Sequence, residues 1–355
     1  MQMSDFIAKQ LFLNTLLSMF TLPAHGRLLK KAAFLFWMTI VSFSAEADWM
    51  AKLDTKTYFT DDVALFSVTQ RLSLKDDPTQ PTVDRPSQGS DFVYEPSAEL
   101  DWSGQNALGE IMASVDAGAY VFANQTAYTH GLYEFQLSQS LPTDTKISLL
   151  YNFVPDLFLG KNDFRQLNGD EAEYDEKLSN HYWSIHLDHP LTNNLIVRLL
   201  GRYGLRIYSE PFQHRDTRFW TFGPHLEWVI SPDMEVLVGY HFERGNGANH
   251  RAAHFPDDVS YINHYASAEF KVRFVDKLTG LLIFDYETNE FTGIRVDDEH
   301  FGATENIYQG EIELLYELDE SATLKLGWQH GRRNLTTEQQ TVKNNNVWLG
   351  FEYVF

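Results

Sequence analysis

The chain has no cysteine among its 355 residues. Disulfides, thiolate metal sites and cysteine nucleophiles are excluded together. Basic residues are scarce: 28 Lys and Arg stand against 49 Asp and Glu, a net charge of −21. A nucleic-acid-binding surface needs a basic footprint, so that class is excluded too. Long hydrophobic runs are also missing. After residue 60 no stretch of ~18 apolar residues occurs, which removes spanning helices from that part. Hydrophobic residues make up 43%, ordinary for a globular chain and too few for a helical membrane bundle. Aromatics are plentiful instead, with 26 Phe and 17 Tyr. A soluble acidic globule fits these numbers as well, so the strand pattern has to decide.

The N-terminus reads as an address. Lys30 and Lys31 precede the apolar run Ala32 to Ser42, and Ala45-Glu46-Ala47 fits a small-x-small cleavage site. A positive flank, a short apolar core and a small-residue exit make a Sec-type signal peptide, too short for a membrane anchor. Residues 1–47 are thus expected to be a leader and 48–355 a single domain. Residues 1–29 make that leader long, with a second apolar patch from Phe6 to Leu22, as a start codon assigned too far upstream would produce.

From Asp62 onward the sequence alternates with period two. Val347, Leu349, Phe351, Tyr353 and Phe355 fall on one face; Trp348, Gly350, Glu352 and Val354 fall on the other. Ala322, Leu324, Leu326 and Trp328 oppose Thr323, Lys325, Gly327 and Gln329 in the same way. Strand side chains point alternately to opposite faces, so each segment offers one apolar and one polar wall. A β-sandwich alternates too, but these segments run roughly 10–18 residues where globular strands manage about 5 or 6. A membrane strand needs about 9–11.

Connections alternate in length. Short turns fall near 103–107, 141–143, 189–192, 231–233, 275–277 and 319–321. Long polar connections fall near 75–91, 122–128, 154–178, 209–215, 244–258, 289–304 and 335–343. Six short and seven long connections predict an all-β, up-and-down antiparallel transmembrane barrel of fourteen strands. Residues 48–60 would extend the first strand or lie in the periplasm, and a sixteen-strand count would need two further strands. Pro96 and Pro224 fall inside strands and are read as bulge sites.

The chain closes on Glu352-Tyr353-Val354-Phe355. A terminal phenylalanine ending an alternating aromatic strand resembles the C-terminal signature of Gram-negative outer-membrane porins. That resemblance names an architecture and no subfamily. It implies export to the periplasm and insertion in the outer membrane, with Phe351, Tyr353 and Phe355 read by the barrel-assembly machinery. Outer-membrane lipid and lipopolysaccharide would be the surroundings, and homo-oligomers are left open.

Turning the apolar set outward empties the outer band of charge. Ile111, Ala113, Val115, Ala117, Ala119 and Val121 form one such row; Val197, Leu199, Gly201, Tyr203 and Leu205 form another. Lys or Arg on the lipid face at mid-depth would cost about 2–4 kcal/mol. Trp102, Trp183, Trp220, Trp228 and Trp328 suit an interfacial girdle. The opposite wall carries the charges. Its acidic members include Glu95, Glu99, Glu110, Asp116, Glu227, Glu235, Glu269, Asp285, Glu311 and Glu313; its basic ones include Arg71, Lys146, Arg198, Arg202, Arg206 and Lys325. So many charges in a dry core would be crippling, and a hydrated, net acidic, cation-favouring lumen would satisfy them.

Arg198, Arg202 and Arg206 are spaced by four and point inward on one strand. Such a ladder could hold carboxylates or phosphates through forked hydrogen bonds. Equally, Glu227 and Asp188 could neutralise it and brace the wall.

Other chemistry is thin. His250, His254, Asp257 and Asp258 share a loop, and Asp170, Glu171, Glu173, Asp175 and Glu176 make an acidic run, but neither has ordered ligand spacing. His264 and Ser267 should lie on opposite faces, while Ser184, His186 and Asp188 share the inward one. No G-x-S-x-G or H-E-x-x-H occurs. No cofactor, metal or enzymatic role is indicated. The expected role is a pore for small hydrophilic solutes or ions, with loop 154–178 as the constriction because it is the longest. The alternatives are a conduit for an anionic polysaccharide or a sheath around a partner protein, and a barrel-embedded hydrolase.

Overall fold

A computed structural model describes residues 48–64, 66, 89–165, 171–248, 257–294, 296–298, 300–336 and 341–355. The segment expected to be a leader, Arg71, His250 and His254 lie outside them. The described residues form a closed barrel of fourteen antiparallel strands. Their order is β1 (Asp48–Thr60), β2 (Asp91–Asn106), β3 (Gly109–Phe122), β4 (His130–Ser140), β5 (Lys146–Arg165), β6 (Glu171–Thr192), β7 (Leu195–Tyr208), β8 (Thr217–Ser231), β9 (Met234–Gly247), β10 (Tyr261–Val275), β11 (Leu278–Phe291), β12 (Thr304–Glu317), β13 (Ala322–Leu335) and β14 (Val342–Val354). Each strand pairs with its chain neighbours, and β1 meets β14 to close the cylinder, with Leu53 opposite Tyr353. With strands about 4.8 Å apart and tilted about 40°, the backbone radius is about 14 Å. Turns at one rim are short and connections at the other are longer, as the sequence predicts, except between β5 and β6.

The first strand is a correction. It is Asp48–Thr60, and the chain does not start its wall at Asp62. Lys52, Asp54, Lys56 and Tyr58 alternate there with Leu53, Thr55, Thr57 and Phe59, but few apolar residues mark the outer face. After Thr60 the chain turns inward. Val63 and Phe66 are buried, and Phe66 meets Tyr58, Tyr120 and Phe122 edge-on at 5.2–6.0 Å between ring centres.

Loop 154–178 is the second correction. β5 and β6 continue through most of it as a hairpin, 20 and 22 residues long, with only 166–170 outside the description. Leu157, Phe158 and Leu159 are consecutive and all buried, and Leu157, Leu159 and Leu178 pack with Tyr208 and Phe212, so the period-two alternation breaks here and the sequence looks like loop. The register slips after Val154, before Leu157, and again between Phe158 and Gly160. Asp156 and Gly160 have positive φ there, 47° and 135°. Pro96 and Pro224, by contrast, carry no bulge. Pro96 faces Thr55 and Pro224 faces Leu199 in unbroken register, so each ring is absorbed where its missing N–H leaves a gap in the ladder on the other side.

The outer face is apolar and aromatic. Trp183, Trp220, Trp228 and Trp328 are each exposed by 44–47%. Tyr151, Trp183, Tyr203 and Trp220 face one another across four strands as one continuous row. So large an exposed apolar surface is compatible with lipid and not with water.

Candidate functional site: the inner wall

The inward face changes along its length. Near the short turns, the side chains of Lys52, Arg198, Glu235 and Lys271 remain 31–55% exposed. Towards the long loops, Arg206, Glu243, Glu287, Glu305 and Arg333 are all buried to 2% or less. The first group forms ion pairs that stay open to solvent. The second is satisfied by neighbours, which corrects the expectation that a hydrated lumen serves every inward charge.

The arginine ladder shows the gradient on one strand. Arg198 donates from Nε and Nη2 to the two oxygens of Asp188, at 2.6 and 2.8 Å. Arg202 donates to Ser184 Oγ at 3.2 Å and lies 4.6 Å over the Tyr182 ring. Arg206 donates to Glu243 at 3.2 Å and to Tyr261, and sits 4.3 Å over Phe219. All three point inward, and all three are engaged by the wall.

The acidic residues are engaged to different degrees. Glu95 accepts from Tyr58 at 2.6 Å, and Glu99 pairs with Lys52. Asp285 accepts from Tyr265 at 2.6 Å and Gln309 at 3.1 Å. Glu311 accepts from Gln329, and Glu313 from the Trp348 indole at 2.7 Å with Lys56 at 3.4 Å. Glu235 meets Lys271 at 3.7 Å. Asp116 stands in register between Glu99 and Glu134. Glu110 is exposed at a short turn; Glu227 and Glu269 are half-buried. Lys325 bridges Asp54 and Glu352.

Sequence reasoning missed the contributions of Lys52, Asp54, Lys56 and Tyr58, because β1 was placed too late. It also missed Asn263, Asn289, Asn344 and Asn346, which are buried. Asn263 and Asn289 both donate to Glu287. Their inward parity was the available signal.

Glycine sets the thickness of this wall. A Cβ on Gly204 would fall 2.0 Å from Phe219, on Gly245 2.1 Å from Tyr261, and on Gly327 2.0 Å from Trp348. Each glycine faces its ring across the ladder. The rings lie flat over bare backbone, which keeps bulky side chains close to the sheet.

The hydrolase candidates are not assembled. Ser184 receives Arg202, Asp188 is taken by Arg198, and His186 Nε2 has no hydrogen-bond partner among the described residues. His264 is on the outer face, sharing a 2.6 Å hydrogen bond with Tyr240, while Ser267 is buried inside. Asp257, one of the loop residues weighed as a metal ligand, instead binds Arg215 at 2.7 Å and His214 at 2.6 Å. Arg215 also reaches Glu176 at 3.0 Å, tying the β5–β6 hairpin to two further outer connections. Burial opposes ionisation of Asp257, but the His214 hydrogen bond and the Arg215 charge outweigh it and hold the carboxyl well below its ordinary range. The same balance, with His300 as donor, lowers Asp298.

Phe351 and Tyr353 lie on the outer face of β14 with Phe355 just beyond it; Phe351 and Tyr353 stack 6.5 Å apart, and Tyr353 meets Phe355 at 4.7 Å.

Among solved structures, the outer-membrane channel DcaP of Acinetobacter baumannii is similar with a TM-score of 0.51 at 8% identity, covering 87% of this chain and 97% of that one. The likeness is one of fold, a closed antiparallel β-barrel. OmpT of Vibrio cholerae, in a form with loop L8 deleted (TM-score 0.47, 12% identity, 87% and 99% covered), and the anion-selective porin of Comamonas acidovorans (0.44, 9%, 87% and 99%) are more distant likenesses. No family model and no curated protein matches the chain.

Proposed function

We propose that this barrel is an outer-membrane pore for small hydrophilic solutes or ions, entered from the periplasm through an acidic vestibule and narrowed in its extracellular half. The inward face carries the reading: charges are spread around it between apolar clusters, accessible to solvent near the short turns and close-packed towards the long loops. Asp54, Glu99, Asp101, Asp188, Glu227, Glu235, Glu269 and Glu352 outnumber Lys52, Lys146, Arg198, Lys271, Arg273 and Lys325 around that mouth and favour cation entry. The inward turn after β1, with Phe66 against Tyr58 and Tyr120, is the constriction in this reading. The ladder Arg198–Arg202–Arg206 braces the wall, since each guanidinium already has wall partners. The terminal Phe351, Tyr353 and Phe355 serve assembly, exposed where machinery could take them. Refolded protein in planar bilayers should give discrete, cation-preferring current steps. Membranes that stay silent with verified folded protein would end the pore reading.

A further inference from the structure

The outer face of β11–β14 carries a feature that conduction does not use. Arg332 on β13 stands directly opposite Lys343 on β14, both exposed. Like charges opposite each other on a sheet repel. Among the described residues neither has a carboxylate within 4 Å. The ladder row continues from Arg332 to Tyr308 on β12 and Tyr286 on β11, whose rings lie 4.9 Å apart. One step towards the membrane centre the row reads Phe284, Gly310, His330. Gly310 has no side chain, and a hollow of about 480 Å³ opens over it, lined by Phe284, Tyr308, His330 and Arg332, with Asp285 and Gln309, both buried and hydrogen-bonded to each other, behind it. His330 is held by a hydrogen bond from Nδ1 to Asn345 Oδ1 at 3.0 Å. The next step down is wholly apolar, with Ile312 and Trp328.

The vertical order is thus cation pair, aromatic-walled notch, apolar belt. That is the order of a lipid: phosphate, linkage region, acyl chain. We infer that this groove binds a phosphorylated lipid headgroup of the extracellular leaflet, its phosphate between Arg332 and Lys343 and its first acyl carbons over Gly310. The phosphate would relieve the unbalanced pair, and the notch would accept a chain that a side chain at 310 would exclude. The inference rests on placement in the outer membrane and is independent of conduction.

The full chain, refolded in detergent, is tested by native mass spectrometry with lipid A, with phosphatidylcholine and with inorganic phosphate. Wild type should retain lipid A well above phosphatidylcholine. R332Q/K343Q should lose about tenfold or more of that retention, R332K/K343R should keep it, and G310L should weaken it with both charges intact. The single variants R332Q and K343Q should each give part of the loss. Bilayer conductance of R332Q/K343Q should match wild type, separating a failed lipid site from a failed pore. Equal retention by R332Q/K343Q overturns the site. Displacement of lipid A by millimolar phosphate with G310L unaffected would reduce it to a free-anion site and overturn the lipid assignment.

Discussion

The indole of Trp348 lies over Gly327 on the neighbouring strand, so close that a Cβ on Gly327 would fall 2.0 Å from the ring. In that position the indole N–H reaches Glu313 at 2.7 Å, and Lys56 sits 5.7 Å over the ring. One missing side chain therefore fixes an aromatic, a carboxylate and a cation of three other strands. Gly327→Val should force the ring into the bore. Overpacking of this kind typically costs about 1–3 kcal/mol. A lower urea midpoint and a smaller single-channel current are expected together, and a folded variant with unchanged current would contradict the role given to the glycine.

Arg206 and Glu243 form a pair with almost no access to solvent, both side chains being 1% exposed or less. Removing one partner strands the other charge. Arg206→Met should destabilise the barrel by about 3–5 kcal/mol, whereas Arg206→Met with Glu243→Gln should recover much of that. Equilibrium unfolding in lipid vesicles measures both. Similar losses in the single and double variants would show that the pair is not what holds this part of the wall.

Phe66 packs among Tyr58, Tyr120 and Phe122 at the inward turn after β1. Phe66→Ala should raise conductance while removing about 3–5 kcal/mol of packing from that cluster. Unaltered current steps from this variant would place the narrowest level elsewhere.

The outer clamp should respond to acid in one direction. Asp257 and Asp298 titrate below their ordinary carboxylate range in the folded protein, so their stabilisation is complete above about pH 4, the ordinary range. It fades as pH falls through the depressed values. Protection factors for hydrogen exchange in 209–216 and 257–260 should hold steady from neutral pH to about pH 5 and fall below about pH 4. Asp257→Asn should exchange fast already at pH 7, and slow exchange in that variant would remove the clamp.

Vestibule charge should set selectivity. Replacing Glu227, Glu235 and Glu269 together by Gln should shift the reversal potential in a salt gradient towards anions. An unmoved potential would locate selectivity in the packed outer half instead.

Much of this was open to reading in the chain itself. Alternation along β2–β14 fixed which face is apolar, because a strand has only two sides and lipid tolerates only one kind of residue. The rhythm of short and long connections yielded fourteen strands, since an up-and-down barrel must end where it began. Both cues weakened outside the hydrocarbon layer. There the β5–β6 hairpin hid behind a broken alternation, and β1, whose outward face holds Thr55 and Thr57 among Leu53 and Phe59, passed for a tail.

What the sequence could determine by itself was parity: Arg198, Arg202, Arg206, Asp285 and Glu313 all face inward, as their spacing requires. Which of those charges meet water and which are locked to a neighbour depended on closure. Tyr261 reaches Arg206 from three strands away, and Trp348 reaches Glu313 from two, because a curved wall turns separate side chains towards a common centre. Periodicity is a local property of one strand, whereas burial inside a cylinder is a property of all fourteen at once.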